Sequence, residues 1–242
     1  MKIAIYNDCD INSYKHFGCE LVMETFREQL NRVDCELVGT VTRNRYNNKG
    51  HVKKILDRAD LVIVNSEGSL HHNRRNDILS VGQKWNSILI NTVFQANDGN
   101  GLKDFRYVSC RESYSANEAA KAGDINVDVI PDIIFTNKRL QKLKLIGDKE
   151  HTVIEHFKRG DISTNNNAEK FLNEMVRYRT VSSVSFHSLI IAMILGQEII
   201  KIIPTTTHKN DGLMKDYNSD ENFISNSKEK INRLFERLHE WK

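Results

Sequence analysis

The chain reads as an α/β protein built in two lobes, and three observations carry that prediction. Short apolar runs alternate with stretches whose apolar residues recur at helical spacing, the pattern of βαβ units on a parallel sheet. Two of the runs, DLVIVN at 60–65 and SILINTVF at 87–94, are apolar without alternation, as strands covered on both faces are. After residue 138 the strand–helix rhythm restarts, which divides the chain into lobes 1–138 and 139–242, with no Gly- or Pro-rich linker between them.

In order, KIAIY at 2–6 is a buried first strand, and 18–30 is a helix with Leu21, Val22, Phe26 and Leu30 on one face. Residues 36–41 follow as a strand and 52–58 as a short basic helix. The run 60–65 is a strand ending in turn residues, so that Glu67 falls on a Gly-flanked turn. Strands at 87–94, 105–110 and 127–130 follow, with a helix over 113–122 closed by Gly123 at its C-cap. In the second lobe, 151–156, 181–185 and 198–204 read as strands, and 168–178 and 188–195 as helices. Asn226 with Glu229 forms a capping pair that opens a last helix, whose Ile231, Leu234, Phe235, Leu238 and Trp241 make one apolar face.

The composition is that of an ordinary globular protein: 39% hydrophobic and 28% charged residues exclude a disordered chain. A net charge of +3 permits an anionic partner without requiring one. No run approaches the ~18 apolar residues of a membrane span, and MKIAIYNDCD turns polar too soon for a signal peptide, so a cytoplasmic protein with reduced thiols is expected. The four cysteines show no CxxC pair and no zinc spacing, and adjacent His71 and His72 are expected to point apart, so no metal is expected.

In open α/β sheets ligands sit beyond the carboxyl ends of the strands. The residues that follow the apolar runs are Asn7-Asp8-Cys9-Asp10, Ser66-Glu67-Gly68, Arg111-Glu112-Ser113, Asp132, Ser185-Phe186-His187-Ser188 and Thr205 to Lys209. SFHS opens an apolar helix, where unsatisfied N–H groups and the positive dipole end suit an anion. The alternative is that Ser185 caps the helix and His187 packs in the core. Glu67 is placed to take a proton from a hydroxyl, or else is a surface turn residue. Arg111 either meets an anion or pairs with Glu112 or Asp132, and Lys209 either meets a phosphate or is solvated. The basic runs RNRYNNKGHVKK at 43–54 and HHNRR at 71–75 are solvated faces or contacts to a polyanion.

Four segments, in order along most of the chain, resemble the polysaccharide pyruvyl transferase family. VNSEGSLHH resembles that family's Gly-rich loop, and VSCRESYSANEAAKAG followed by VDVIPDIIF resembles its segment with an Arg, a Ser-rich helix start and a closing Pro-Asp. SVSFHSLIIAMILGQEIIKI resembles its last motif, and HFGCE its N-terminal turn. The resemblance implies a glycosyltransferase-B-like fold, two Rossmann-like lobes facing across a cleft. One departure stands out. In members that use phosphoenolpyruvate the last motif reads Arg-x-His, whereas Ser185 stands two residues before His187. A serine cannot grip a phosphate or carboxylate as a guanidinium does.

The expectation is therefore a group-transfer enzyme, first a glycosyltransferase that moves a sugar from a nucleotide-sugar donor, for example a UDP-sugar, to a hydroxyl of a glycan or of a hydroxymethylated base in DNA. Alternatives are pyruvyl transfer from phosphoenolpyruvate to a sugar and a non-catalytic binding module of the same fold. Glu67, Asp8 and His187 are the catalytic candidates. Ser185, His187, Ser188, Lys209 and Arg111 are expected on the donor, and Ser66, Gly68, His71 and Arg45 on the acceptor. No permanently bound cofactor is expected.

Overall fold

The computed structural model describes residues 1–10, 16–42, 49–74, 77–154 and 167–242. Six parallel strands form the first sheet: β1 (Lys2–Tyr6), β2 (Glu36–Val41), β3 (Leu61–His71), β4 (Ser87–Gln95), β5 (Tyr107–Cys110) and β6 (Asp128–Val129), in the order β2-β1-β3-β4-β5-β6. Three more parallel strands, β7 (Lys149–Ile154), β8 (Tyr178–Ser183) and β9 (Glu198–Ile202), form a second sheet in that order. The helices are α1 (Phe17–Arg32), α2 (Lys49–Leu56), α3 (Ser113–Gly123), α4 (Lys138–Gln141), α5 (Ala168–Met175), α6 (Phe186–Leu195), α7 (Lys209–Asn218) and α8 (Phe223–Glu236). The predicted α/β class with parallel sheets is what the chain forms.

The unbroken apolar runs do what that pattern implies. On one face of the first sheet Ile3, Ile5, Leu61, Ile63, Ile88 and Ile90 join a core that includes α1, α6 and α8. Ala4, Tyr6, Val62, Val64 and Leu89 face the other way, toward α2 and α3. The first core runs on into the second sheet through Val181 and Ile154. Helix α1 is the hub. Phe17 stacks on Phe171 of α5 with ring centroids 3.6 Å apart, and Phe26 meets Phe235 of α8 edge-on at 6.1 Å. The last helix thus packs on the first half of the chain, and Arg32 reaches Glu236 at 2.8 Å.

Several elements differ from the sequence expectation. Strand β3 does not stop at Asn65. It continues through a bulge at Glu67–Leu70, so Glu67 lies within the strand at φ +55° and not on a turn. Asn-Ser-Glu-Gly reads as a turn, but here its polar groups are buried against neighbouring strands, with Asn65 and Ser66 fully covered. Asp124, at φ +48°, takes the left-handed position after α3 that was expected of Gly123. Helix α8 begins at Phe223, a turn before Asn226, because the burial of Phe223 and the Asp220 carboxylate hold the chain earlier; Asn226 Nδ2 donates to Asp220 Oδ2 at 2.9 Å. Helix α5 ends at Met175, where β8 takes over at Tyr178. Helix α7 was not foreseen: KNDGLMKDYN is polar and contains Gly212, so it reads as loop. Among the described residues no helix is long and apolar enough to cross a membrane.

Candidate active site

The strand order places β1 beside β3, while β2 lies on the far side of β1, so the chain reverses direction of travel across the sheet between β1 and β3. A crevice opens beyond the strand ends at such a switch point. Three residues there hold left-handed backbone, Asn7 at φ +68°, Glu67 at +55° and Asn91 at +55°. Asparagine tolerates that region, but a glutamate in it is uncommon, and such positions persist where surrounding structure enforces them. The enforcement is visible: Asn7 Nδ2 donates to the Asn65 carbonyl at 2.6 Å, and Asn91 Nδ2 donates to Asn65 Oδ1 at 3.1 Å.

The first sheet supplies most of the charge. Arg111, just past β5, is 1% exposed, and its Nη1 donates to Asp132 Oδ2 at 2.8 Å and lies 3.7 Å from Glu67 Oε2. Of the two partners considered for Arg111, Asp132 is the one it takes. Asp132 is fixed in turn, its other oxygen accepting from the Ile134 N–H at 3.1 Å. Burial alone would raise the Asp132 pKa, but His187 and Arg111 outweigh it and hold the carboxyl at about 2.

The second sheet brings His187. Helix α6 starts at Phe186, not at Ser188, so His187 lies in its first turn. His187 Nε2 stands 3.5 Å from Asp132 Oδ2 and 3.8 Å from Glu67 Oε1. These contacts are too long or too poorly aligned for hydrogen bonds, and Nε2 has no hydrogen-bond partner among the described residues. The ring also needs Gly18: a Cβ there would come within 2.1 Å of His187 Nδ1. That glycine sits in the first turn of α1, capped by His16, whose Nδ1 accepts from Gly18 N–H at 3.1 Å. The serines of SFHS behave differently from the histidine. Ser188 is fully buried and donates to the Ser185 carbonyl at 2.7 Å, so its hydroxyl closes the turn and does not face a donor. Ser185 occupies the N-cap but makes no side-chain cap bond.

Lys209 opens α7 and points back at the same place. A Cβ on Gly68 would lie 3.6 Å from Lys209 Nζ and 3.8 Å from Arg111 Nη2, so two cations converge on a bare stretch of backbone. Burial and the neighbouring Arg111 lower the Lys209 pKa to about 8, against the pull of Glu67 and Asp132. Arg111 also stacks over the Phe186 ring at 4.2 Å. A guanidinium therefore does reach the SFH segment, from another strand. Beside it lies a pocket of about 370 Å³ lined by Gly68, His71, Val184, Thr205, Thr207 and Lys209 among others.

The structure thus brings Glu67, Arg111, His187 and Lys209 together, with Gly68 and His71 at the edge. Asp8 is fully buried beside them, with Arg27 Nη2 3.9 Å from Oδ2, and Ser66 is fully buried with no partner for its hydroxyl among the described residues. Arg45 lies outside the described residues, as do 43–48 and 75 of the two basic runs. His71 and His72 do not point apart: left-handed backbone at His72, φ +52°, turns their Nδ1 atoms to 3.0 Å. Asp132 and the asparagines at 7, 65 and 91 were missed as site residues. Asp132 and Asn7 were noticed after apolar runs, Asp132 also as a partner for Arg111, but neither was given a role at the site, and asparagines after strands look like ordinary turn residues.

The comparisons agree with this picture. The family model for polysaccharide pyruvyl transferase matches residues 16–205. A search of curated proteins finds no match. Among solved structures, an uncharacterised protein from Klebsiella pneumoniae subsp. pneumoniae is similar at a TM-score of 0.63 and 16% identity, covering 92% of this chain and 90% of that one. The UDP-GlcNAc 2-epimerase from Methanocaldococcus jannaschii is similar at 0.61 and 11%, covering 99% and 100%. At such identities these two show the fold alone. The matched span includes Gly18, Glu67, Arg111, Asp132 and His187, and on it the chain belongs to the polysaccharide pyruvyl transferase family and is a transferase.

Proposed function

We propose that this transferase moves the pyruvyl group of phosphoenolpyruvate onto two hydroxyls of a carbohydrate, forming a ketal and releasing phosphate. The family match over residues 16–205 carries this reading. The site supports it chemically. Phosphoenolpyruvate presents a phosphate and a carboxylate, and Arg111 and Lys209 converge beside Gly68 to meet such an anion. Two-lobed glycosyltransferase-B-like architecture, with lobes 1–138 and 139–242 and the site in the cleft between them, is part of the same reading.

In this scheme an acceptor hydroxyl adds at C2 of the enol phosphate and gives up its proton to Glu67. C3 takes a proton from the His187 side and becomes the methyl group. The C2–O bond to phosphate breaks, the phosphate leaves, and the second hydroxyl closes the ketal and loses its own proton to the departing phosphate. Glu67 is preferred to Asp8 as base because its side chain is 15% exposed while that of Asp8 is fully covered. Asp132 positions the two groups it touches, Arg111 and His187. Carbohydrate is preferred to DNA as acceptor because the family whose model matches residues 16–205 is one of polysaccharide pyruvyl transferases.

Phosphate release from phosphoenolpyruvate in the presence of a panel of hexose and glycan acceptors tests the reading, with the ketal methyl followed by NMR. Glu67→Gln is expected to lower turnover about 10²–10⁴-fold while donor binding is kept. A second reading, transfer from a nucleotide sugar, rests on one observation, Ser185 in place of the arginine. Consumption of a UDP-sugar with no phosphate release from phosphoenolpyruvate would decide for it.

A further inference from the structure

Beside the transfer site lies a second group of side chains that the reaction does not use as a set. Cys9 follows β1, Cys19 lies in the first turn of α1, and Glu67 sits in the β3 bulge. The two sulfurs and one Glu67 oxygen all lie within 4.8 Å of one another, and Cys9 Sγ is 3.7 Å from Glu67 Oε1. All four cysteines are outside any disulfide.

That spacing is a metal-site spacing. A zinc ion sits about 2.3 Å from thiolate sulfur and about 2.0–2.2 Å from a carboxylate oxygen, so the edges of a tetrahedral site measure roughly 3.5–3.8 Å. The Cys9–Glu67 edge already has that length, and the widest separation the group contains exceeds it by no more than about 1 Å, which small side-chain rotations close. Two thiolates also select the ion: they suit zinc and its soft relatives, whereas magnesium and calcium prefer all-oxygen sets. The Cys19 sulfur, burial and Glu67 all push the Cys9 thiol up. Cys19 is drawn down to about 7, first by its hydrogen bond with Cys9, against burial, with His16 helping. Outer contacts are in place as well, with Asn65 Nδ2 3.8 Å from Cys9 Sγ.

We propose that Cys9, Cys19 and Glu67 form a three-ligand site for a zinc-class divalent cation, with the fourth position open toward the transfer site. Cobalt(II) serves as the probe, because thiolate ligation produces charge-transfer absorption in the near ultraviolet and tetrahedral geometry gives strong visible bands. The full chain, reduced and freed of metal with a chelator, is titrated with cobalt(II) and then with zinc(II). One equivalent of cobalt with thiolate charge transfer, displaced by one equivalent of zinc, is expected. Cys19→Ser, at a half-buried position that tolerates the change, is expected to weaken binding by at least about 100-fold, beyond the roughly 10–100-fold cost of an outer contact. Cys35→Ser is expected to leave the spectrum unchanged, and circular dichroism confirms that each variant is folded. Absence of charge transfer in wild type would overturn the site, as would an unchanged titration in folded Cys19→Ser or a Cys9–Cys19 disulfide in the reduced preparation. Glu67 bound to a cation is no longer free to act as base, so a loaded site is expected to hold the transfer off until the ion leaves; the titration contains no substrate, so failure here leaves the transfer reading standing, and failure of that reading leaves the metal site standing.

Discussion

Lys209 shows how a residue suited to an anion carries a stability cost. Its pKa, lowered to about 8 by burial and by Arg111, lies below the ordinary lysine value of 10.5. Between those pH values the unfolded chain binds the proton and the folded one does not, so stability rises with pH across that window. At pH 7 the folded protein holds a desolvated charge. Lys209→Met is therefore expected to raise the melting temperature at pH 7 and to weaken phosphoenolpyruvate binding. In wild type donor affinity is expected to fall as pH rises through about 8, and that step is expected to vanish in the variant; a melt series and titrations at several pH values check both. Gly18 makes the companion case. Its substitution by alanine puts a methyl 2.1 Å from His187 Nδ1, and overpacking of this kind costs about 1–3 kcal/mol. If the clash is with that ring, the cost of Gly18→Ala is expected to disappear in a His187→Ala background, and additive losses in chemical denaturation would show another cause.

At the scale of elements, the site depends on where α7 begins. That helix is held against α3, where the Ser113 N–H donates to Asp216 Oδ2 at 2.8 Å, and against the link from β8 to α6, where Asn210 Nδ2 donates to the Val184 carbonyl at 2.9 Å. Gly212 permits the approach, since a Cβ there would stand 2.1 Å from Glu112 Oε2. Glu112 cannot yield easily, because its carboxylate caps α3 through the Tyr114 and Ser115 N–H groups at 2.8 and 3.0 Å. Gly212→Ala is expected to push α7 outward and carry Lys209 with it. Donor affinity then falls along with stability, whereas Gly196→Ala, in open space at a C-cap with φ +68°, is expected to cost stability alone. Titration and melting of both variants separate the two. The same elements show what a sequence conveys. The apolar runs that became β1, β3 and β4 were legible because strands covered on both faces need no polar residue. Helix α7 was not, because it places little more than Leu213 in the core and is otherwise held by polar contacts such as Ser113 to Asp216, so KNDGLMKDYN shows no apolar face. The extension of β3 past Asn65 was hidden for a related reason, as buried asparagines bonded across strands look like turn residues until their partners are known.

Over the whole molecule, Glu67, Arg111, His187 and Lys209 could be picked out singly because they follow apolar runs, but their convergence depends on how the two sheets meet. Asp132 follows an apolar run too, but its pairing with Arg111 and His187, like the Cys9–Cys19–Glu67 group, has no local signature, since chain separation hides a contact made through three elements. What holds the sheets together is the core shared by α1, α5, α6 and α8. Phe235 is fully buried there, and Phe235→Ala is expected to cost about 3–5 kcal/mol in chemical denaturation, a loss felt at the site although no site residue is touched. The central claim is that this assembled site takes phosphoenolpyruvate as its donor through groups that include His187. Calorimetric titration of phosphoenolpyruvate, and separately of uridine diphosphate, into wild type and His187→Ala tests it most directly. The account predicts that phosphoenolpyruvate binds wild type and that the variant, with an unchanged melting temperature, binds it about 10- to 150-fold more weakly. Binding of uridine diphosphate in place of phosphoenolpyruvate, or equal phosphoenolpyruvate affinity in the two proteins, would contradict it.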